Sequence, residues 1–172
     1  STGFRRRLVT MLLKRALDVV VAITGIVALL PLVFVLSLLI KVDSPGPVFY
    51  RQMRVGLRGR PYMIWKFRSM RQDAEQGGAR WASSEDPRVS RVGRWIRKWR
   101  LDELPQLINV MRGEMSLVGP RPERPVFVQE LRNTIPYYDL RHTVRPGITG
   151  WAQTRFRYGA SKEDSHVKLQ YD

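Results

Sequence analysis

The chain has 172 residues, with 30 Lys and Arg against 15 Asp and Glu, a net charge of +15, and no cysteine. The missing cysteines exclude a disulfide framework and a thiolate zinc site, and the charge calls for anionic partners: acidic lipid, nucleic acid or phosphorylated substrates. With the apolar segment described next set aside, about 130 residues remain, enough for one small core and not two.

Between Phe4 and Arg15, Leu8, Met11, Leu12 and Arg15 recur at helical spacing beside Arg5, Arg6 and Arg7, which predicts an interfacial helix. Val19 to Ile40 follows as 22 uncharged residues, of which 16 are Val, Ile, Leu or Phe. At roughly −0.3 to −0.6 kcal/mol each, these favour the membrane by about 5–10 kcal/mol before Thr24, Gly25, Pro31 and Ser37 are subtracted. One straight helix of this length reaches about 33 Å, enough to span a hydrocarbon core. Pro31, near the middle, removes a backbone donor and predicts a kink. Basic residues lie on both sides, Lys14 and Arg15 before the run and Lys41, Arg51 and Arg54 after it, so any spanning orientation puts one basic flank on the wrong side. The expectation is therefore a re-entrant helix-break-helix hairpin, with Pro31 as the membrane break and both ends cytoplasmic. An ordinary kinked transmembrane helix is the alternative. The run is too long for a cleavable signal peptide and lacks a small-residue cleavage site.

Ser44-Pro45-Gly46-Pro47 forces a turn, and two extended stretches, Val48 to Val55 and Tyr62 to Met70, predict a β-hairpin. Alternation in the second stretch puts Lys66 and Arg68 on one face, opposite Met63, Trp65 and Phe67. Gln72 to Arg88 reads as a polar surface loop containing Gly77-Gly78. Val89 to Arg100 is a basic amphipathic helix carrying Val92, Trp95, Ile96 and Trp99, suited either to the lipid headgroup level or to a core with a basic outer side. A further helix is expected from Asp102, with Leu104, Leu107, Ile108 and Met111 buried and Gly113 as its stop. Ser116 to Pro122 is a rigid loop, Val126 to Arg132 a short helix, and Val144 to Trp151 a second loop before a polar tail.

Asp102-Glu103 is the one adjacent acidic pair followed at once by a helical apolar stripe. Read locally, Asp102 is a helix cap worth about 0.5–2 kcal/mol. Read with its surroundings, a carboxylate at a helix start among many arginines is favoured in its ionised form, and can hold Mg²⁺ or attack phosphorus. Phosphate chemistry also needs fixed cations. Arg121 lies between two prolines and Arg145 precedes one, so both lose little backbone entropy on ordering, and guanidinium forks match phosphate oxygens. With Lys66 and Arg68 they form a candidate phosphate-binding set. His142 and His166 lack metal-ligand spacing and read as surface histidines.

These residues fall in motifs that resemble the bacterial sugar transferases, the monotopic polyprenyl-phosphate glycosyl-1-phosphate transferases. The resembling segments are Lys14-Arg15-Ala16-Leu17-Asp18, Asp43-Ser44-Pro45-Gly46-Pro47-Val48-Phe49, Lys66-Phe67-Arg68-Ser69-Met70 and Leu101-Asp102-Glu103-Leu104-Pro105-Gln106-Leu107. Met115-Ser116-Leu117-Val118-Gly119-Pro120-Arg121-Pro122 and Arg145-Pro146-Gly147-Ile148-Thr149-Gly150-Trp151 follow in the family's order. The resemblance implies transfer of a sugar 1-phosphate from a UDP-sugar to undecaprenyl phosphate, with UMP released, as the first membrane step of polysaccharide or glycan assembly. It implies Asp102 as nucleophile and metal holder, Glu103 as the second catalytic acid, and Mg²⁺ as cofactor. The implied place is the cytoplasmic face of a bacterial inner membrane, with anionic lipid as a partner, nucleic acid not among the partners, and homo-oligomerisation left open.

The fold class expected is α+β. Residues 1–43 would form the interfacial and re-entrant membrane helices, and residues 44–172 a membrane-surface catalytic domain built on a small β-hairpin sheet and amphipathic helices. Two departures accompany the resemblance: the family's Ser-Pro break is Leu30-Pro31 here, and relatives usually continue past the stretch ending at Asp172, so the C-terminus is expected to be incomplete. The rival readings are a basic membrane-surface adaptor, which leaves Asp102 and Glu103 idle, and a fragment of a polytopic enzyme in which Val19 to Ile40 spans.

Overall fold

A computed structural model describes residues 8–74, 86–155, 169 and 171–172. Phe4 to Arg7 of the expected interfacial helix, the Gly77-Gly78 loop and His166 lie outside the described residues.

The apolar run and the segment before it form one helix, α1 (Leu8–Asp43), 36 residues long. This corrects the expectation of two elements: helical backbone continues through Pro31. A proline removes a single amide donor, and Pro31 sits here on the exposed side of the helix. Asp18, Ala22, Leu36 and Ile40 are buried, with Arg15, Gly25, Leu29, Leu32 and Val33 half-buried between them. Spacings of three and four place all of these on one face, which rests on the remainder of the protein along nearly the whole helix. The opposite face carries Leu17, Val20, Val27, Leu30 and Phe34, all exposed, with Val27 at 62% and Phe34 at 66%. So long an apolar surface with no protein cover is a lipid-facing one, and it marks the chain as membrane-associated.

The hairpin forms as expected, with ends shifted slightly. Strands β1 (Phe49–Val55) and β2 (Pro61–Phe67) pair antiparallel, Tyr50 opposite Lys66 and Arg54 opposite Tyr62, through a 3-10 turn at Leu57–Gly59. Helix α2 (Arg91–Lys98) has Ser90 as its N-cap and buries Ile96, while Trp95 and Trp99 face outward. A β-carbon at Gly93 would overlap the Ser69 carbonyl, so α2 needs glycine to lie this close to the chain after β2.

The helix expected from Asp102 starts later. Leu101–Gln106 is a 3-10 segment, and only Leu107–Arg112 is α-helical (α3). Pro105 disfavours α geometry at Leu104, and three residues per turn instead of 3.6 shift the buried phase. Asn109 and Val110 therefore take the interior, and Met111, expected inside, is exposed.

The two expected loops instead contain short strands, β3 (Ser116–Val118) and β4 (Gly147–Thr149), which pair in parallel. Between them lie α4 (Pro125–Thr134) and a 3-10 segment, Tyr138–Thr143. Helix α5 (Trp151–Arg155) follows β4. Three apolar clusters result. Val55 joins Phe127, Val128, Leu131, Ile135 and Tyr138 under α4. Ala22 joins Ile64, Val110 and Met115, and Leu36 and Ile40 join Phe67 and Ile96. The last two bind α1 to the remainder of the protein, and the architecture is α+β.

Candidate active site

The acidic pair sits where α2 gives way to the 3-10 segment. Arg100 turns the chain in a left-handed conformation (φ 55°, ψ 22°), and its carbonyl accepts from the Glu103 amide at 3.2 Å. Asp102 and Glu103 are both buried.

Glu103 is surrounded by cations. Its Oε1 accepts from Lys66 Nζ at 2.8 Å and from Arg121 Nη2 at 2.7 Å. Its Oε2 accepts from Arg121 Nη1 at 3.4 Å and faces Arg100 Nη1 at 3.9 Å. Burial would push this carboxyl up, but the Lys66 and Arg121 charges outweigh it and hold Glu103 well below the usual carboxylate range, ionised at every working pH. The Lys66 ammonium is pulled down by burial against the opposing pull of Glu103.

Asp102 is different. Among the described residues, no hydrogen bond ends on its carboxylate. Burial raises its pKa, the Glu103 charge adds to that, and Lys66, Arg97 and Arg121 oppose it from a distance. Two adjacent carboxylates thus have opposed environments, one fixed as an anion and one destabilised as an anion. That is the usual arrangement when one acid is structural and the other reacts.

The sheet supplies more than Lys66. Residues opposite one another in an antiparallel pair share a face, so Tyr50, Gln52, Arg54 and Tyr62 lie on the Lys66 side. Gln52 Nε2 donates to the Tyr50 hydroxyl at 3.0 Å, and Arg54 Nη2 donates to Gln52 Oε1 at 2.6 Å.

The loop that carries Arg121 is held residue by residue. The Pro120 carbonyl accepts from the Gly147 amide at 2.9 Å, and the Arg121 carbonyl accepts from Arg141 Nη2 at 2.9 Å. Arg54 Nη1 donates to the Pro122 carbonyl at 3.0 Å, and the Val55 amide donates to the Glu123 carbonyl at 2.9 Å. Close approach at this point excludes a side chain at Gly119 or Gly147, because a β-carbon on either would overlap the backbone of the other segment. Gln153 Oε1 accepts from Arg121 Nη1 at 3.1 Å and completes the positioning.

Of the six site residues expected from sequence, the structure brings four together: Asp102, Glu103, Lys66 and Arg121. Arg68 lies apart from them in its bonding. Its guanidinium donates to the Pro45 carbonyl at 2.7 Å and to the Ser44 carbonyl at 2.6 Å, clamping the turn after α1. Arg145 Nε donates to the Gly113 carbonyl at 2.9 Å, at the C-terminus of α3, where a cation complements unpaired carbonyls. Both arginines have donors committed to backbone, which the sequence could not reveal. Sequence reasoning also missed Arg54, although the polar alternation of Tyr50, Gln52 and Arg54 was there to find it. It missed Arg141 as well, and it placed His142 at the surface, whereas His142 is buried with its Nδ1 3.0 Å from Asp139 Oδ1.

No group of three or more His, Cys, Asp or Glu that could hold a metal occurs among the described residues. Mg²⁺ asks for less: one or two carboxylates together with substrate phosphates and water. Glu103 is taken up by Lys66 and Arg121, which leaves Asp102 as the carboxylate with free oxygens, a donor set that fits a metal shared with a bound substrate.

The family model described as bacterial sugar transferase matches residues 9–172. The chain is 49% identical over 160 residues to a UDP-N-acetylgalactosamine-undecaprenyl-phosphate N-acetylgalactosaminephosphotransferase of Aeromonas hydrophila, covering 93% of this chain and 38% of that protein. It is 48% identical over 145 residues to the UDP-glucose:undecaprenyl-phosphate glucose-1-phosphate transferase of Escherichia coli (strain K12), covering 84% of this chain and 31% of the relative. An exopolysaccharide production protein of Rhizobium leguminosarum bv. phaseoli is 41% identical over 167 residues, covering 93% of this chain and 82% of its own length. The chain thus spans about a third of the length of the first two relatives.

Proposed function

We propose that this chain, which belongs to the bacterial sugar transferase family, moves a sugar 1-phosphate from a UDP-sugar to undecaprenyl phosphate and releases UMP. The relatives are named for that reaction, with N-acetylgalactosamine in one case and glucose in another. The observation that carries the reading is the split between the two adjacent acids. Glu103 is neutralised between Lys66 and Arg121, and Asp102 is left with an unbonded carboxylate beside them.

The reaction then runs in two displacements. The Asp102 carboxylate attacks the phosphorus that bears the sugar, the bond from that phosphorus to the bridging oxygen breaks, and UMP leaves with the bond's electrons. A phosphate oxygen of the lipid next attacks the same phosphorus, the acyl-phosphate bond to Asp102 breaks, and the free carboxylate returns. Covalent catalysis of this kind divides one difficult displacement into two easier ones. Arg121, stiffened by its loop, and Lys66 offset the charge gathering on the phosphoryl oxygens. Mg²⁺, held by Asp102 and the substrate's phosphates, would supply further charge neutralisation on the diphosphate.

The membrane element is read as re-entrant, entering a bacterial inner membrane from the cytoplasmic face. The packed face of α1 runs from Asp18 to Ile40, about 33 Å of helix, comparable to a hydrocarbon core. A perpendicular span would drag α2, α3 and β3 into lipid with their charges. A helix that lies obliquely in one leaflet leaves those elements in the interface and keeps both basic flanks on one side.

The test is UMP release in detergent from a panel of UDP-sugars, with undecaprenyl phosphate and Mg²⁺, for the chain and for Asp102→Asn. Lipid-dependent release that disappears in the variant is expected, and the active sugar names the donor. Incubation with a UDP-sugar labelled in the phosphate next to the sugar, without lipid, should label the chain itself. Absence of release from every sugar, with tight binding to acidic vesicles, would favour the basic adaptor instead.

A further inference from the structure

Arg100 occupies a position made for glycine. Helix α2 ends at Lys98, Trp99 is its C-cap, and the next residue adopts the left-handed conformation that closes many helices. Glycine is favoured there because a β-carbon meets the following carbonyl. A long basic side chain is not needed for the helix end, since Arg97 and Lys98 already fill the last turn of α2. Non-glycine residues held in this conformation cluster at functional sites.

Its side chain points to the reason. Arg100 Nη1 lies 3.9 Å from Glu103 Oε2, a looser contact than those of Lys66 and Arg121 on the same carboxylate. The Arg100 side chain is 52% exposed, against 7% for Glu103, so most of its guanidinium remains open to solvent beside the buried acid pair. Lys66 and Arg121 are both committed to Glu103, and Arg121 also to Gln153. Arg100 is the most exposed of the three cations near Glu103, at 52% against 16% for Lys66 and 39% for Arg121, and the one held to it most loosely.

We propose that Arg100 is a substrate-binding residue of this site, a mobile guanidinium that takes the diphosphate of the nucleotide donor as it approaches Asp102. The inference rests on the transferase reading for the identity of the diphosphate. It explains why an arginine stands where the backbone favours glycine: the strain is tolerated because the guanidinium has to originate two residues before the nucleophile.

The experiment compares the chain with Arg100→Gly, Arg100→Asn and Arg100→Lys. Gly and Asn both suit the left-handed conformation, so these variants relieve the backbone while removing the charge, and their Tm should rise by about 2–4 °C. KM for the UDP-sugar should rise about tenfold, the size of one lost charge-assisted hydrogen bond, with KM for undecaprenyl phosphate unchanged. Lys should recover part of the affinity without the gain in Tm. UDP itself is a second probe: the rise in Tm it gives the unaltered chain should shrink in Arg100→Asn. Raised Tm with unchanged KM and unchanged UDP response would overturn the proposal and leave Arg100 a helix-end residue. A fall in Tm in Gly and Asn would overturn it too, because the side chain would then be structural. If the unaltered chain transfers no sugar yet responds to UDP through Arg100, the transferase reading fails and this one stands. If it neither transfers nor responds, both fail.

Discussion

Asp18 and Glu103 are both buried carboxylates paired with a lysine, and the two regions they organise do opposite things. Around Asp18 every partner belongs to the scaffold. Oδ2 accepts from Lys14 Nζ at 3.3 Å and from the Ser116 hydroxyl at 2.8 Å, and Oδ1 accepts from the Leu117 amide at 3.2 Å. Lys14 also hydrogen-bonds Ser116, so the cluster closes on itself and fastens α1 to β3. Around the Glu103 carboxylate the partners are side chains only, and the preceding residue, Asp102, is a second buried acid whose carboxylate none of them bonds. A buried acid with each oxygen satisfied by its own fold is a fastening. A buried acid that gathers cations beside an unsatisfied one is a reaction centre, because the surplus positive field is available to something that arrives later.

The comparison breaks first at Asp102. Asp102→Asn keeps the shape and removes the proposed nucleophile, so turnover should fall by at least about 10³-fold, with Tm held or raised because burial no longer opposes a charge. Steady-state UMP release and a melting curve check both. Loss of Tm together with activity would mean that Asp102 belongs with Asp18 as a fastening.

Lys66→Met comes next, with kcat/KM lowered by about 10²-fold. Its pH profile carries the sharper information. In the proposed mechanism Asp102 must be ionised to attack, so activity should be lost as pH falls through its pKa, which burial raises and Lys66 lowers. Removing Lys66 should therefore move the acid limb to higher pH. An unmoved limb would detach Lys66 from Asp102.

Asp18→Asn tests the other region. The charge pairing with Lys14 disappears while the amide can still reach Ser116, so the cost is about 2 kcal/mol, seen as a Tm lower by about 4–8 °C. Activity per folded molecule should stay within about twofold. The smallest effect belongs to Arg145→Ala, which removes one exposed hydrogen bond to Gly113 and should cost no more than about 1 kcal/mol. A large loss of donor affinity in that variant would return Arg145 to the phosphate-binding set.

The hairpin was legible because its alternation is strong over seven-residue strands, and Lys66 was found by that alternation. The acid pair was legible because Asp102 and Glu103 precede an apolar stripe. What stayed hidden depends on contacts far apart in sequence. Strands β3 and β4 are three residues each, too short for a periodic signal, and they exist because Gly119 and Gly147 let two loops pass closely. The phase of α3 was misjudged because Pro105 imposes a tighter turn first. Arg68 and Arg121 look alike in their motifs, and only the fold decides that one binds carbonyls of a turn while the other faces an acid. Pro31 predicted two helical legs, yet the lost bond did not interrupt α1 in the structure.

The loop from Pro120 to Glu123 has a consequence for how this protein spends time. Its four consecutive carbonyls answer to four different donors, two of them the Gly147 and Val55 amides. Such a loop opens only when several bonds fail together, so those two amides should exchange with solvent as slowly as amides in the middle of a strand, although each sits at a strand end. Arg121 is then the stationary member of the encounter. On the proposed reaction, the slow search belongs to the lipid and the nucleotide, which must align to it, and fluctuation in turnover should track membrane fluidity more closely than any breathing of this loop.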